Sequence, residues 1–561
     1  MAKTEKERVD DYMISLHQLE EEREPWEDLW TDVIRYTSPK RDMWDDEDKP
    51  EGDVKKGRDL YDTTAVEAAK TEANGLVGWN AGPSVKWLKL KLMIEEMNDL
   101  PYVKDWLELC ERRVYMMLHR SNFYDQLFEF FLDLVTVGTA VMLIEPDPGS
   151  FMINYSTRHP KETYFTEGAN GRVESVYRDI WFTGKQALDR YGKNLPKKFI
   201  DDMTDENDKK RLKNLTAKYR FIHIIEPRHG RNPNSALATE KPFASVELLP
   251  SENAIVNEGG YDEIPVIVCR WTKNSNEKQG RSPAMDGIST IKRLNQEKLT
   301  TLKAGNLAVQ PAVQVPLEMS RRLNLSPGGV NVYKNPSRRI YNTDQGSGYP
   351  FGRDILEMLR DEVDNLFMVP LFRMLDRLER QVTATEIVER QGERVSSLAG
   401  PLTRQNSEGL GPMIFRTFNI MARQGLMPPP PPVLMKMGSP MDVEFTGLLA
   451  QAQRKYHQAQ GLNSGLAQIN GLVQMTQNPG ILDNIDMDDL VRKIAETEGF
   501  PASSVRELPE IKKLRQQRAK QVQKQQQMQE AQVKADVLNK TSKAPEEGSP
   551  AEAMVQGSGV A

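Results

Sequence analysis

Two long amphipathic patterns, separated by a short non-helical insert, constrain the fold of this chain more than any other feature. The first begins at Ser282-Pro283, where a helix N-cap residue precedes proline at the first helical position. Apolar residues then recur at helical spacing, at Met285, Ile288, Ile291, Leu294 and Leu302. The pattern predicts a helix of roughly 22 residues, about 33 Å long, that ends near Gly305.

The second pattern begins near Gly352 and predicts a helix that runs back along the first. Its apolar stripe consists of Ile355, Met358, Leu359, Val363, Leu366 and Phe367. Four acids, here called the acidic set, are predicted on the other face: Asp354, Glu357, Asp361 and Asp364. Between the helices, residues 308–315 predict a strand interrupted by Pro311 and Pro316. Two helices joined by a small β insert predict a stalk with a tip.

Length and charge limit the class of protein. The 561 residues are too many for one core, so two to four domains are expected. The longest apolar run, 134–144, is too short to cross a bilayer, and the start lacks the apolar core of a signal peptide. The short apolar run favours no membrane partner, and two cysteines make no disulfide framework, which favours a reducing cytoplasm. The net charge of −6 argues against a whole surface that grips nucleic acid.

Motifs for catalysis and metal binding are absent from the sequence. The six histidines are scattered and show neither a zinc-ligand spacing nor HExxH. No phosphate-binding loop GxxxxGK[ST] and no GxSxG elbow occurs. We therefore predict no catalytic residues, no metal and no cofactor. The missing phosphate loop also argues against an ATPase.

The region before the stalk predicts an α+β body. Two helices are expected in 9–37, broken at Pro25, followed by an acidic linker over 42–53. An alanine-rich helix from Thr63 or Thr64, a strand over 85–92 and a helix pair over 101–134 come next. The first helix of that pair is expected to bury Trp106, Leu109, Met116 and Leu118. The pattern predicts strands over 140–145 and over most of 151–271.

The region after the stalk predicts helices. A helix from Thr383 is expected to be kinked at Gly400-Pro401 and Gly411-Pro412 and to end before a proline spacer, 428–432. Helices are then expected in 448–471 and 483–499. From residue 510 onward the Gln, Lys and Arg content allows one charged helix and a disordered end.

Several segments in this order resemble the head-to-tail connector, or portal, proteins of tailed bacteriophages, in particular those with short tails. They are HQLEEEREPWEDLWTDVIRYTSP, WLKL after Gly82-Pro83, SNFYDQLFEF before VGTAVMLIEP, YDEIPVIVCRW before GRSPAMDG, and VTATEIVERQGER. Together they span about residues 9–426. Residues after 432 match only in their helical, then Gln-rich, character.

The resemblance implies a homomeric ring, usually of twelve subunits, at one capsid vertex around a channel for double-stranded DNA. It implies an elongated subunit with an α+β wing, a two-helix stem, a small α/β clip and a helical crown. The expected parts are wing 1–280, stem helix 281–306, clip 307–350, stem helix 351–371, tunnel loop 372–381, wing helix and proline spacer 382–432, crown 433–500 and tail 501–561. Expected partners are the terminase large subunit, tail adaptor proteins, and major capsid and scaffolding proteins. The protein would sit in the virion and, during assembly, in the host cytoplasm.

Three sets of charged residues are candidates for channel or docking functions. Rings of the acidic set would repel DNA phosphates so that the duplex slides; alternatively, these acids only solvate a helix face. The arginine turn, which is Arg373, Arg377 and Arg380, would face the DNA backbone or form ion pairs between subunits with Asp376 or Glu379. The basic patch consists of Arg321, Arg322, Lys334, Arg338 and Arg339. It would contact exiting DNA or an acidic docking partner; alternatively, it only contributes to solubility. A tail or capsid adaptor without a packaging role remains the alternative function.

Overall fold

A computed structural model describes most of the first three quarters of the chain. The described residues are 4–41, 57–98, 100–147, 149–203, 214–233, 235, 237–309, 313–314, 341–342, 349–376, 398–437, 441–447, 475, 511, 515, 518 and 520. The chain divides into two units, Met1–His457 and Gln458–Ala561. All elements described below belong to the first unit. The acidic linker 42–53 and the helices predicted in 448–471 and 483–499 lie outside the described residues.

A single helix, α1 (Glu5–Thr37), replaces the two helices expected around Pro25. Proline removes one backbone hydrogen bond from a helix interior, so tertiary contacts must offset the loss. Arg23, two residues before the proline, supplies such contacts, because its guanidinium donates to the backbone carbonyls of residues 160, 161 and 163 and lies 3.6 Å from the centre of the Tyr164 ring. The predicted break was therefore wrong, since packing on both sides of Pro25 keeps the helix continuous.

Helices build one core of the body. They are α2 (Thr64–Asn80), α3 (Glu95–Asn98), α4 (Pro101–Arg120) and α5 (Phe123–Thr136), joined by strand β1 (Leu88–Leu92). The prediction for the buried face of α4 was partly wrong, because Leu109 and Met116 are exposed while Leu107 and Cys110 are buried. The apolar residues of α4 cover more than one face, so periodicity alone did not select the face that packs against β1 and α5.

Two antiparallel sheets form the second part of the body, as the α+β prediction requires. The three-stranded sheet has the order β3-β2-β9, with β2 (Thr139–Pro146), β3 (Ile153–Arg158) and β9 (Val266–Arg270). The five-stranded sheet runs in sequence order and contains β4 (Thr163–Glu167), β5 (Val173–Thr183), β6 (Lys218–Pro227), β7 (Phe243–Leu249) and β8 (Ala254–Tyr261). Helices α6 (Gly184–Tyr191) and α7 (Lys197–Asp202) connect β5 to β6.

Both faces of the five-stranded sheet are covered. The first half of α1 packs Val9 and Leu16 against one face. The other face packs Val176 and Ile225 against Val268 and its neighbours on the three-stranded sheet. The second half of α1 instead joins the helical core through Trp30 and Ile34. A single long helix thus connects the sheets with the helices that carry the stalk.

After β9 the chain forms the two stalk helices and the β insert between them. Helix α8 (Pro283–Asp286) leads into α9 (Ile288–Val309), and strands β10 (Val313–Gln314) and β11 (Tyr341–Asn342) pair antiparallel before α10 (Tyr349–Leu366) and α11 (Val369–Asp376). The first helix therefore runs four residues past Gly305, and the strand predicted from residue 308 begins only at 313. The paired strands confirm a small β insert between two helices.

The expected kink at the two Gly-Pro pairs takes another form. Helix α12 (Ala399–Arg404) continues into a π-helix (Gln405–Leu410) and then into α13 (Gly411–Arg423). The helical path continues through the π-helix, at whose end the Gly411 N–H donates to the Asn406 carbonyl five residues earlier. Helix α14 (Pro432–Met437) begins at the last proline of the spacer, and β12 (Met441–Phe445) pairs with β1. The helix predicted to begin at Thr383 lies outside the described residues as far as 397.

Candidate functional site

The stalk is an antiparallel pair of helices, α9 and α10, whose register is fixed by two glycines. A Cβ atom on Gly352 would lie 2.9 Å from the Thr301 hydroxyl, and one on Gly287 would overlap the Leu366 side chain. Thr301 lies 14 residues after Gly287, and Leu366 lies 14 residues after Gly352. The contact of Gly287 with Leu366 and the contact of Gly352 with Thr301 therefore lie about 21 Å apart along one antiparallel helix pair. A larger residue at either glycine would require the facing side chain, Leu366 or Thr301, to shift.

The base of the stalk is tied to the body through Ser282. Its hydroxyl accepts a hydrogen bond from the Met285 N–H at 3.0 Å, as the sequence predicted for an N-cap, and donates to the Thr136 carbonyl at 2.6 Å. Gly280 meets Gly138 backbone to backbone, and Gly138 has a φ of +80° that side chains disfavour. These contacts fix the direction in which the stalk leaves the body.

A second tie joins both stalk helices to the segment that precedes α2. The Arg360 guanidinium of α10 donates to the buried carboxylate of Asp62 at 2.7 Å. Burial opposes ionisation of Asp62, but hydrogen bonds from Thr64 and Arg360 hold its pKa below the usual value. On α9, the amide of Asn295 accepts from the Tyr61 N–H and donates to the Asp59 carbonyl. The helices are thus held in fixed orientation, which a predicted channel wall requires.

The apolar face of α10 differs from the predicted stripe by one residue. Leu356 is buried, whereas Met358 is 51% exposed. Leu359, Val363 and Phe367 are buried as predicted. The prediction that Met358 is buried was wrong. Helix α10 packs against both α9 and the body, and the side of the helix that faces them includes Leu356 instead of Met358.

Three members of the acidic set are exposed on α10: Asp354, Glu357 and Asp361. The fourth, Asp364, is partly buried and pairs with Arg373 at 3.4 Å. Burial raises the pKa of Asp364, and Asp361 adds to the effect while Arg373 opposes it. A cleft of about 880 Å³ beside α9 is lined by Lys298, Leu302, Arg353, Glu357, Arg360 and Asp364, among others. That the acidic set lines a DNA channel stays a prediction.

The arginine turn is described only at its first member. Arg373 lies on α11, so residues 372–376 of the segment expected as a loop are helical. The two helices meet at Met368, whose φ of +51° is unusual for a residue other than glycine. Arg373 is half exposed and forms an ion pair with Asp364 of the same copy. An ion pair between subunits with Asp376 or Glu379 stays a prediction. Arg377, Arg380 and all five residues of the basic patch lie outside the described residues.

A buried ionic cluster around Arg270 was not predicted. At the end of β9, its guanidinium contacts Glu408 of the π-helix through two hydrogen bonds of 2.9 and 3.0 Å and also contacts Glu167 at the end of β4. Burial disfavours the charge on Arg270, yet both carboxylates raise its pKa. The cluster joins the sheets to the helix that returns from the stalk. No local signal identifies it, because its partners are more than 100 residues away.

Two further features of the described residues bear on function. Among them, no helix has the length and apolar character needed to cross a membrane. No group of three or more histidine, cysteine, aspartate or glutamate side chains in the same part of the chain is arranged to hold a metal ion.

One protein family and two phage portal proteins are similar to this chain. The family described as bacteriophage head to tail connecting protein matches residues 10–505, which extends past the segments quoted from the sequence. The probable portal protein of Bordetella phage BPP-1 is 27% identical over 522 residues, covering 91% of each chain. The portal protein of Salmonella phage epsilon15 is 27% identical over 533 residues, covering 93% of each chain. This chain belongs to the bacteriophage head-to-tail connecting protein family and has the portal, or connector, role of that family.

Proposed function

We propose that identical copies of this chain close into a ring, of twelve copies in the usual case, at one vertex of the capsid. The ring encloses a channel through which double-stranded DNA enters during packaging and leaves during ejection. The terminase large subunit docks on the clip, 307–350, and tail adaptor proteins later take its place. Major capsid and scaffolding proteins surround the ring while the particle assembles in the host cytoplasm.

The family match over residues 10–505 carries this proposal. The stalk supports it, because a channel wall needs rigid, elongated elements that each copy holds in the same orientation. The contacts at Ser282, Gly280 and Asp62 provide that fixed orientation. We assign the stem to 281–306 and 351–371, the tunnel loop to 372–381, the crown to 433–500 and the wing to the remaining body.

In this proposal the charged sets make DNA bind only weakly to the channel wall. Double-stranded DNA carries one negative charge per about 1.7 Å, so a uniformly basic wall would hold it in place. The arginine turn supplies a few basic contacts near the narrowest part, and the basic patch supplies them at the clip. The Arg373 guanidinium is half exposed and is shared with Asp364, which suits a contact that forms and breaks as the duplex moves.

Negative-stain electron microscopy of the purified full chain tests the ring. Open rings with an axial hole wide enough for a duplex are expected. Filaments, solid particles or monomers would contradict the proposal and favour an adaptor without a packaging role. An ATPase assay on the same sample checks the remaining alternative, and we expect no hydrolysis above a buffer control.

A further inference from the structure

The two stalk helices carry opposite charge. Helix α9 contains four basic residues and one acid, which gives a net charge of +3, while α10 contains five acids and two arginines, which gives −3. Three ion pairs of these helices lead elsewhere in the same chain: Lys292 to Asp32, Arg360 to Asp62, and Asp364 to Arg373. Among the described residues no ion pair joins α9 to α10. The remaining charges are therefore available to a partner.

These available charges lie on the outer sides of the pair. Gly352 and Leu366 mark the side of α10 that meets α9. At 100° per residue, Asp354 and Asp361 fall on the opposite side of the helix, and both are exposed. For α9 the contact side is marked by Gly287, the residue just before the helix, and by Thr301.

The same construction on α9 places two exposed bases, Arg293 and Lys303, in the half that faces away from α10. One lateral side of the stalk is therefore basic and the other is acidic. Such a surface is complementary to a second copy of itself in a head-to-tail arrangement, which closes into a ring when the rotation per copy fits.

The register of the pair sets the heights of these charges. Rotation about a ring axis that runs along the helices moves a copy sideways without changing its height. The glycine contacts place Arg293 level with residue 360, so Asp361 is one residue away, or about 1.5 Å. They place Lys303 level with residue 350, so Asp354 is four residues away, or about 6 Å, which a lysine side chain spans.

We propose that Arg293 and Lys303 of one copy form ion pairs with Asp361 and Asp354 of the next copy, and that this contact sets the direction of ring closure. The proposal rests on the ring described under the proposed function. It assigns these two members of the acidic set to the boundary between copies instead of the channel lumen. The occupant of each lateral face is thus a second copy of this chain.

Charge-reversal variants of the full chain test this contact. The first variant carries Arg293→Asp and Lys303→Asp, so both lateral sides of its stalk are acidic. The second carries Asp354→Lys and Asp361→Lys, so both sides are basic. Each variant alone should need about tenfold more protein for half-maximal ring formation than the unmodified chain, measured by mass photometry at low salt, because two attractive pairs per contact become repulsive.

Mixing gives the decisive result. An equimolar mixture of the two variants should form rings of alternating copies at a concentration where neither variant forms rings alone. High salt should reduce the difference between the mixture and the separate variants. A matched control reverses Glu108 and Arg112, an exposed pair on α4, and should assemble like the unmodified chain.

Separate outcomes address the two proposals. If the unmodified chain forms no ring, the proposed function fails. If it forms rings and either reversed variant does so equally well, the lateral contact is wrong while the ring stands. The contact is also wrong if the mixture assembles no better than its components. All four substituted residues are exposed, and urea unfolding of each variant verifies that the fold is retained.

Discussion

Glu72 is a buried carboxyl group on α2 and provides a quantitative test of the helical core. Its side chain is fully buried, and neither carboxylate oxygen has a hydrogen-bond partner within the described part of the chain. Burial raises the pKa of Glu72 from 4.5 to about 8. The folded chain therefore keeps this group protonated at neutral pH, while the unfolded chain ionises it.

The difference in pKa sets how stability depends on pH. Between pH 4.5 and about 8 the folded state holds one more proton at this site than the unfolded state. The free energy of unfolding therefore falls by about 1.4 kcal/mol per pH unit through this window. The loss at pH 7 is roughly 3 kcal/mol, and above pH 8 it is roughly 5 kcal/mol.

The substitution Glu72→Gln replaces the protonated acid by a neutral group of similar shape. The stability of the variant relative to the unmodified chain should rise by about 1.4 kcal/mol per unit from pH 5 to pH 8. Urea unfolding followed by tryptophan fluorescence, at one protein concentration, measures the difference. The control Glu67→Gln, exposed on the same helix, should show no such slope. A difference that stays constant with pH would refute the reasoning.

Three further predictions concern the charged sets and the Arg270 cluster. Alanine at all three positions of the arginine turn should leave rings intact but reduce packaged DNA; normal DNA content, or an equal loss in the control Arg112→Ala, would contradict this role. Glutamate at Arg338 and Arg339 should weaken docking of the terminase or adaptor in a pull-down, and unchanged capture would remove the assignment. Arg270→Met should lower the free energy of unfolding by about 3 kcal/mol, because it leaves Glu408 and Glu167 without their buried partner. Arg404→Ala, which removes a more exposed partner of Glu408, should cost less than about 1 kcal/mol; equal losses would refute a special role for Arg270.

Local signals predicted elements where one type of residue decides the backbone. The N-cap at Ser282 is confirmed by the hydrogen bond from Met285, and an alanine-rich helix begins at Thr64 as predicted. A glycine turn at 168–171 joins β4 to β5, within the region 151–271 where strands were expected. In each case a cap, a run of small residues or a glycine turn gives one backbone conformation a lower free energy than the alternatives.

Patterns failed where tertiary contacts outweigh local preference. Pro25 should end a helix, but the contacts of Arg23 and the burial of Trp30 hold α1 together. Leu109, Met116 and Met358 matched an apolar stripe, yet each faces solvent in the single copy. Periodicity gives the spacing of a helix face, whereas the neighbouring elements decide which of two overlapping faces is buried.

The sequence by itself determined that the chain has an α+β body, a pair of helices around a small β insert, and the ordered segments that resemble a phage connector. These follow from caps, spacing and segment order, which act over a few residues. Only the tertiary structure decided the register of α9 against α10, the ties at Asp62 and Arg270, and the side of the stalk on which each charge lies. Those features depend on pairs of residues far apart in the chain, and no local preference specifies which distant partner a side chain will meet.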